Sequence, residues 1–458
     1  MPLLRRFPSR AEVGELLDLA VPVVVVQVGM MFMGVVDTLM VGRVSAAALA
    51  GVALGNLFFF GVVIFGLGAL MALDPLIAQA VGAHDDPAIA RALQRAIVLM
   101  LVLSLPASVL LWPAEMILTA LGQPADAVPL AGRYTRIIIP SVLPFMAFTV
   151  LRQALQAMGR MRAIVLTIVL ANVTNAVVNW ALIFGHLGAP AMGVAGAAWA
   201  TTFSRWLMAL VLLALGWRDL RAYLLAWRPD SVQLRPIGRM LRLGLPIGLQ
   251  FQLEYTAFGL TGLLMGLLGT SQVAAHQVAI NLASLTYMVP LGVSAAAAVL
   301  VGQAVGRDDQ EGARRAARTA VFVGAAFMVV TGTVFLSAPG WLARLYTTSV
   351  PVLAIATALL PLAGLFQVFD GVQVVAGGIL RGLGDTRSPM IINLLGFWGV
   401  GIPAGLALGF PGGQGAVGLW WGLVAGLASV ATILFLRVRH RFKTRIDRVV
   451  IDERPHRE

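Results

Sequence analysis

The chain has 458 residues, of which 59% are hydrophobic and only 12% charged, with a mean hydropathy of +0.88. Soluble domains carry about 25% charged residues, so a wholly water-facing globular fold is excluded. Cysteine is absent, which excludes a disulfide framework and a thiolate metal site, and the net charge of +12 sits in short gaps between apolar runs, as in cytoplasmic loops facing anionic headgroups and not as in a nucleic-acid surface.

The chain opens with Arg5, Arg6 and Arg10, then an apolar run from Leu16 to Val41 without a small-residue cleavage site at the right distance. That pattern reads as a first transmembrane helix, not a cleaved signal peptide. A span needs about 20 apolar residues, and such runs recur at 16–41, 47–74, 92–114, 128–151, 161–185, 192–216, 241–267, 273–302, 316–338, 350–378, 388–410 and 415–437. The expected fold is an all-α membrane protein with twelve transmembrane helices. An even number puts both termini on one side. The positive-inside rule makes that side cytoplasmic, since most of the 33 Lys and Arg then fall inside while Arg43, Arg133, Arg136 and Arg344 fall outside. A plasma (inner) membrane location is expected.

The second half repeats the first. Gln79-Ala80-Val81-Gly82 recurs as Gln303-Ala304-Val305-Gly306, and the same offset of 224 maps Pro22 on Pro246, Gly42 on Gly266, Asp85 on Asp309 and Arg91 on Arg315. With small gaps Gly159 matches Gly384, and Gly193-Val194-Ala195-Gly196 matches Gly415-Ala416-Val417-Gly418. The expected organisation is a six-helix bundle at 1–216, an Arg-rich cytoplasmic linker at 217–240, a second bundle at 241–438 and a basic tail at 439–458. Six spans per half keep both copies in one orientation, related by a pseudo-two-fold axis along the membrane normal. Two such bundles can rock about a central site and open it to either side in turn; a duplicated scaffold without transport is the alternative.

Ionisable residues within spans face a cavity or a partner, because a charge at mid-bilayer costs about 2.5–3.5 kcal/mol on insertion scales. Four acids fall in or at the ends of spans: Asp37, Asp74, Glu254 and Asp370. Glu254 and Asp370 have no basic residue nearby in sequence. A desolvated carboxyl holds a proton more readily than one in water, and an ionised one is a hard oxygen ligand for an alkali cation. Both states suit coupling to an ion gradient, the alternative being a protonated acid hydrogen-bonded for packing. Asp37 has a possible polar cluster in Asn172, Asn175 and Asn179, with Thr201 and Thr202; Asn175 and Asn179 share a helix face, and plain interhelical hydrogen bonding is the other reading of those amides. Asp74 reads as interfacial, and Arg205 either snorkels inward or pairs with an acid. Eighteen Met and 21 Phe offer a pliable lining for varied ligands, although most such residues face lipid or neighbouring helices. Gly262/Gly266 and Gly418/Gly422/Gly426 have the spacing of close helix packing. There is no Walker A loop and no His-Glu-x-x-His. Gly292-Val293-Ser294 with His276 is a weak hint of an intramembrane serine enzyme.

Several segments resemble the multidrug and toxic compound extrusion (MATE) family: Asp37-Thr38-Leu39-Met40-Val41-Gly42-Arg43, Ala274-Ala275-His276-Gln277-Val278-Ala279, Met288-Val289-Pro290-Leu291-Gly292 running to Val301-Gly302-Gln303-Ala304-Val305-Gly306, and Gly193-Val194-Ala195-Gly196-Ala197-Ala198. The resemblance covers essentially all twelve helices. It implies an antiporter, not an enzyme, that expels organic cations and other amphiphiles against entering Na⁺ or H⁺ by alternating access, needs no cofactor and works as a monomer among membrane lipids. By resemblance Glu254 and Asp370 look like the cation-binding carboxylates of the C-terminal half in the NorM-like branch, and Asp37, Asn175, Asn179 and Thr201 like the ion site of the N-terminal half. Glu254, Asp370 and Asp37 are then the candidate Na⁺ ligands. Gln277 and Phe258 match positions lining the substrate cavity, to which Tyr255 and Met265 are added. Asn179 stands where the DinF-like branch commonly has Asp, and Phe366 where some NorM-like members have a Tyr oxygen near the cation. The runner-up function is a lipid-linked precursor flippase, whose cavities are often basic where these candidates are acidic; a membrane-embedded enzyme is the alternative of another class.

Overall fold

The computed structural model describes residues 7–452, so Arg5 and Arg6 and the last residues of the expected tail lie outside the described residues. Among the described residues the fold is all helical, with twelve long helices: α1 Arg10–Val41, α2 Ala46–Gly82, α3 Asp86–Leu111, α4 Val128–Ala157, α5 Met161–Phe184, α6 Val194–Leu225, α7 Leu234–Leu268, α8 Thr270–Gly306, α9 Gln310–Ser337, α10 Val350–Gly382, α11 Arg387–Gly409 and α12 Gly415–Arg441. Among the described residues eleven are long and apolar enough to cross a membrane. The exception is α7, 35 residues long, whose middle carries Gln250, Gln252, Glu254 and Tyr255. Large apolar side chains such as Leu105 and Val109 stay exposed on the helices, as a lipid-facing surface requires.

Several helices run beyond the apolar stretches that announced them. Hydropathy marks the hydrocarbon core, while a helix ends where its backbone is capped. The Asp85 carboxylate accepts from Ala88 N at 3.0 Å to start α3, and its repeat counterpart Asp309 accepts from Gly312 N at 2.7 Å to start α9. The turns before these caps place His84 and Asp308 at φ +52° and +57°, again 224 residues apart. Gly159 and Gly384, and Gly193 and Gly415, likewise share left-handed φ values in matching loops. The duplication thus extends from sequence to backbone conformation.

The described residues form two compact units. One holds those up to Val24 together with Leu249–Val450; the other holds Val25–Gly248 and the chain from Ile451. α1 and α7 are each divided between the units, at a point two residues beyond Pro22 and Pro246. Proline removes a helical hydrogen bond and lets a helix bend.

Glycine packing is uneven. A Cβ on Gly422 would lie 2.4 Å from Gly405 Cα, and one on Gly418 2.5 Å from the Leu408 carbonyl carbon, so α11 and α12 meet backbone to backbone. Gly262 and Gly266 do not behave this way. A Cβ there would meet only ordinary contacts at 3.7 and 3.9 Å, so the spacing alone misjudged that pair.

Candidate functional site

In the unit containing Val25–Gly248, α1, α5 and α6 bring four of the sequence-identified residues together. Asp37 is buried. Its carboxylate accepts from Asn179 Nδ2 at 2.5 Å and Thr201 Oγ1 at 2.9 Å. The one-turn spacing of α5 lets Asn179 Nδ2 also donate to Asn175 Oδ1 at 3.1 Å. Both asparagines are fully buried, yet Asn179 Oδ1 and Asn175 Nδ2 find no hydrogen-bond partner, and such orphaned groups call for an explanation. Every direct donor to Asp37 is neutral, so contact partners do not cancel its charge. Asn172 stands apart, with its amide donating to Ile168 O at 2.9 Å, and Thr202 donates to Ile137 O at 3.0 Å.

Arg205 is the cation of this neighbourhood. Its guanidinium lies over Phe59 at 4.2 Å and Phe145 at 4.6 Å from the ring centroids, and Nη1 donates to Ser141 Oγ at 2.9 Å. It acts on Asp37 through space. It therefore neither snorkels nor forms a contact ion pair; two aromatic faces hold it inside. Tyr134 donates to Asn56 Oδ1 at 3.1 Å in the same cluster. Asp74 is buried and within electrostatic reach of Arg152.

In the unit containing Leu249–Val450, Glu254 on α7 and Asp370 on α10 act on each other electrostatically, and Gln373 hydrogen-bonds Glu254. Asp370 is buried, with Oδ1 lacking a partner. Tyr287 and Arg381 complete the electrostatic neighbourhood. Arg381, eleven residues beyond Asp370, was not among the residues singled out from the sequence. Eleven residues are about three turns of helix, so Phe366, Asp370, Gln373, Gly377 and Arg381 lie along one face of α10; the spacing carried that signal. Arg381 Nη2 donates to Ser294 Oγ at 3.1 Å, and Ser294 donates to Val374 O at 2.7 Å. Ser294 is thus committed to α10, while His276 packs edge-on to Trp420 at 5.7 Å; these two side chains are not hydrogen-bonded to one another as a nucleophile and its base would be.

The expected cavity residues separate. Gln277 is exposed and Tyr255 partly so. Phe258 meets Phe366 and Phe397 edge-on at 6.0 and 5.8 Å, and Phe366 packs near Trp420. Met265 is fully buried in the core. Among the described residues no three His, Cys, Asp or Glu side chains cluster as a metal site. The Asp37 group instead offers one carboxylate, two amides and a hydroxyl. That donor set fits a weakly held hard cation, not a transition metal.

A family model described as MatE matches residues 22–181 and 246–406. A probable multidrug resistance protein NorM of Mesorhizobium japonicum is 40% identical over 440 residues, covering 93% of this chain and 94% of the relative. A multidrug resistance protein NorM of Burkholderia vietnamiensis is 38% identical over 427 residues, covering 92% of each. The crystal structure of the eukaryotic MATE transporter AtDTX14 superposes with a TM-score of 0.86 at 25% identity, covering 94% of this chain and 99% of that one.

Proposed function

The chain belongs to the MatE family, and on that premise we propose that it exports lipophilic organic cations in exchange for Na⁺ or H⁺ entering through its buried carboxylates. It is an integral membrane multidrug efflux transporter and not an enzyme. The observation that carries the ion-exchange reading is Asp37: a buried carboxylate surrounded by neutral donors and underused amides. Such a group gains a partner when a proton or an alkali cation arrives and loses one when it leaves. Na⁺ would be held by the carboxylate with the Asn175, Asn179 and Thr201 oxygens; H⁺ would bind Asp37 itself.

The second acid pair supports a separate ion site, with Arg381 as internal counter-charge to Glu254 when the pair empties. Tyr255, Phe258 and Gln277 form the proposed substrate path, Gln277 from an exposed position and Tyr255 and Phe258 from half-buried ones, while the fully buried Met265 is left out of it. Ion and cargo favour different conformations of the alternating cycle, so their binding free energies are coupled. Both termini are assigned to the cytoplasmic face of the inner membrane, and the working unit is a monomer.

Ethidium efflux from proteoliposomes under imposed Na⁺ or pH gradients tests the assignment. Asp37→Asn is expected to cut gradient-driven efflux at least tenfold while the protein still inserts and folds. Asp370→Asn and Glu254→Gln read the second site in the same way. Full gradient-driven efflux in all three variants would overturn the carboxylate assignment.

A further inference from the structure

The repeat offset sets Arg91, Arg95 and Arg239 of one unit against Arg315, Thr319 and Glu15 of the other. The first trio forms a seat for the chain's own tail. Arg91 Nε and Arg95 Nη2 each lie 2.7 Å from the Asp452 carboxylate, and Arg239 Nη1 donates to Ile451 O at 2.9 Å. Arg95 is 1% exposed, so this anion seat is built into the helix packing. The equivalent place in the second unit is a cavity of about 230 Å³. Glu12, Glu15, Arg307, Asp309, Arg315 and Thr319 line it, over an apolar floor from α1, α8 and α9. Thr319 is 1% exposed, and its hydroxyl has no hydrogen-bond partner.

Some of the lining charge is already committed. Glu12 accepts from Arg318 at 3.1 Å, and Asp309 caps α9 and lies 3.7 Å from Arg315. Glu15 and Arg307 have no ion-pair partner among the described residues.

We propose that this cavity binds a small zwitterion carrying a phosphate and a primary ammonium group. Arg315 and Thr319 stand where the other repeat binds a carboxylate, and Arg307 adds a second cation where that repeat has Ala83. A phosphate supplies enough acceptor oxygens for two guanidinium groups and a hydroxyl. Glu15 reverses the sign of its counterpart Arg239, so the group meeting it is a cation. A simple anion is opposed by Glu15 and Asp309, and a simple cation by Arg307 and Arg315. The volume lies below the range of about 300–1,000 Å³ typical of drug-sized ligands, which separates this site from cargo binding. Free phosphoethanolamine and the phosphatidylethanolamine headgroup share the required chemistry.

Calorimetric titration of the purified full-length chain in lipid-free detergent tests the proposal without reading transport. Phosphoethanolamine should bind at one site, at least tenfold more tightly than inorganic phosphate or ethanolamine. Glu15→Gln should abolish the preference over phosphate, and Arg315→Gln should weaken both ligands at least tenfold. Thr319→Val, nearly isosteric, should weaken phosphate and zwitterion alike and serves if an arginine variant misfolds. Phosphate binding as tightly as phosphoethanolamine, or zwitterion affinity unchanged in these variants, overturns the site. Nanodiscs assign the source. Loss of phosphoethanolamine binding in phosphatidylethanolamine but not phosphatidylglycerol discs supports the headgroup as occupant; retention in both supports the free zwitterion.

Discussion

Replacing Asp452 with Asn should release the end of the tail from its seat. The carboxylate receives Arg91 and Arg95 at 2.7 Å each and is 29% exposed, while Arg95 is 1% exposed. Two charge-assisted hydrogen bonds contribute about 1.5–3 kcal/mol each when shielded. Solvent screening at a carboxylate this exposed removes roughly half, leaving about 2 kcal/mol, or a factor of about 30 in the docking equilibrium. Burial alone would push the Asp452 carboxyl up, but hydrogen bonding to Arg95 and the charges of Arg95 and Arg91 hold it below the usual carboxylate range. The stabilisation is therefore complete above the unfolded value of about 3.9 and is lost as pH falls through the lower folded value. The sequence has no cysteine, so a nitroxide on Val450→Cys reports the tail alone. At pH 7 the Asp452→Asn background should raise the mobile-to-docked ratio about 30-fold. Wild type should approach that mobility only below about pH 4, and the variant should be flat with pH. Equal mobility of variant and wild type at pH 7, or a pH-independent wild type, would refute the reasoning.

Three further outcomes follow from local geometry. A Cβ at Gly378 would lie 2.3 Å from Ser294 O and 2.4 Å from its Oγ, whereas one at Gly259 would meet nothing within 4 Å. Thermal unfolding should then show Gly378→Ala destabilised by about 1–3 kcal/mol and Gly259→Ala stabilised by up to about 1 kcal/mol. Thr201→Val removes one of the two side-chain donors to Asp37 while keeping the volume; ion dependence of efflux should shift at least threefold with the unfolding midpoint nearly constant. His84 holds a left-handed φ of +52°, so His84→Gly should raise the unfolding free energy by up to about 1 kcal/mol, and a lowered midpoint would contradict that strain.

The repeat was legible because the same backbone turns need the same residues: Asp85 and Asp309 cap, and Gly159 and Gly384 take left-handed φ. The Asp37 cluster was legible because the one-turn spacing of Asn175 and Asn179 survives packing. Arg381 was hidden by distance along the chain, although three helical turns return it to the face of Asp370. The division of α1 and α7 between units could not be read from hydropathy, which marks where a helix spans and not which bundle each part of it joins. The tail was read only as basic. Yet its backbone and Asp452 make specific contacts, with Gln310 donating to Ile446 O at 2.9 Å and Arg314 to Phe442 O at 2.7 Å. Charge counting sees the arginines, and misses the single carboxylate that Arg91 and Arg95 hold between them.

Exchange of ion for cargo is reciprocal, since coupled binding works in both directions. The most direct measurement is counter-transport in proteoliposomes preloaded with ethidium, with no ion gradient imposed, and with ²²Na⁺ uptake and internal pH followed together. Outward ethidium flow should drive Na⁺ or H⁺ inward against its own developing gradient, and Asp37→Asn should blunt that flux. Ethidium leaving at full rate while neither ion moves would contradict the account.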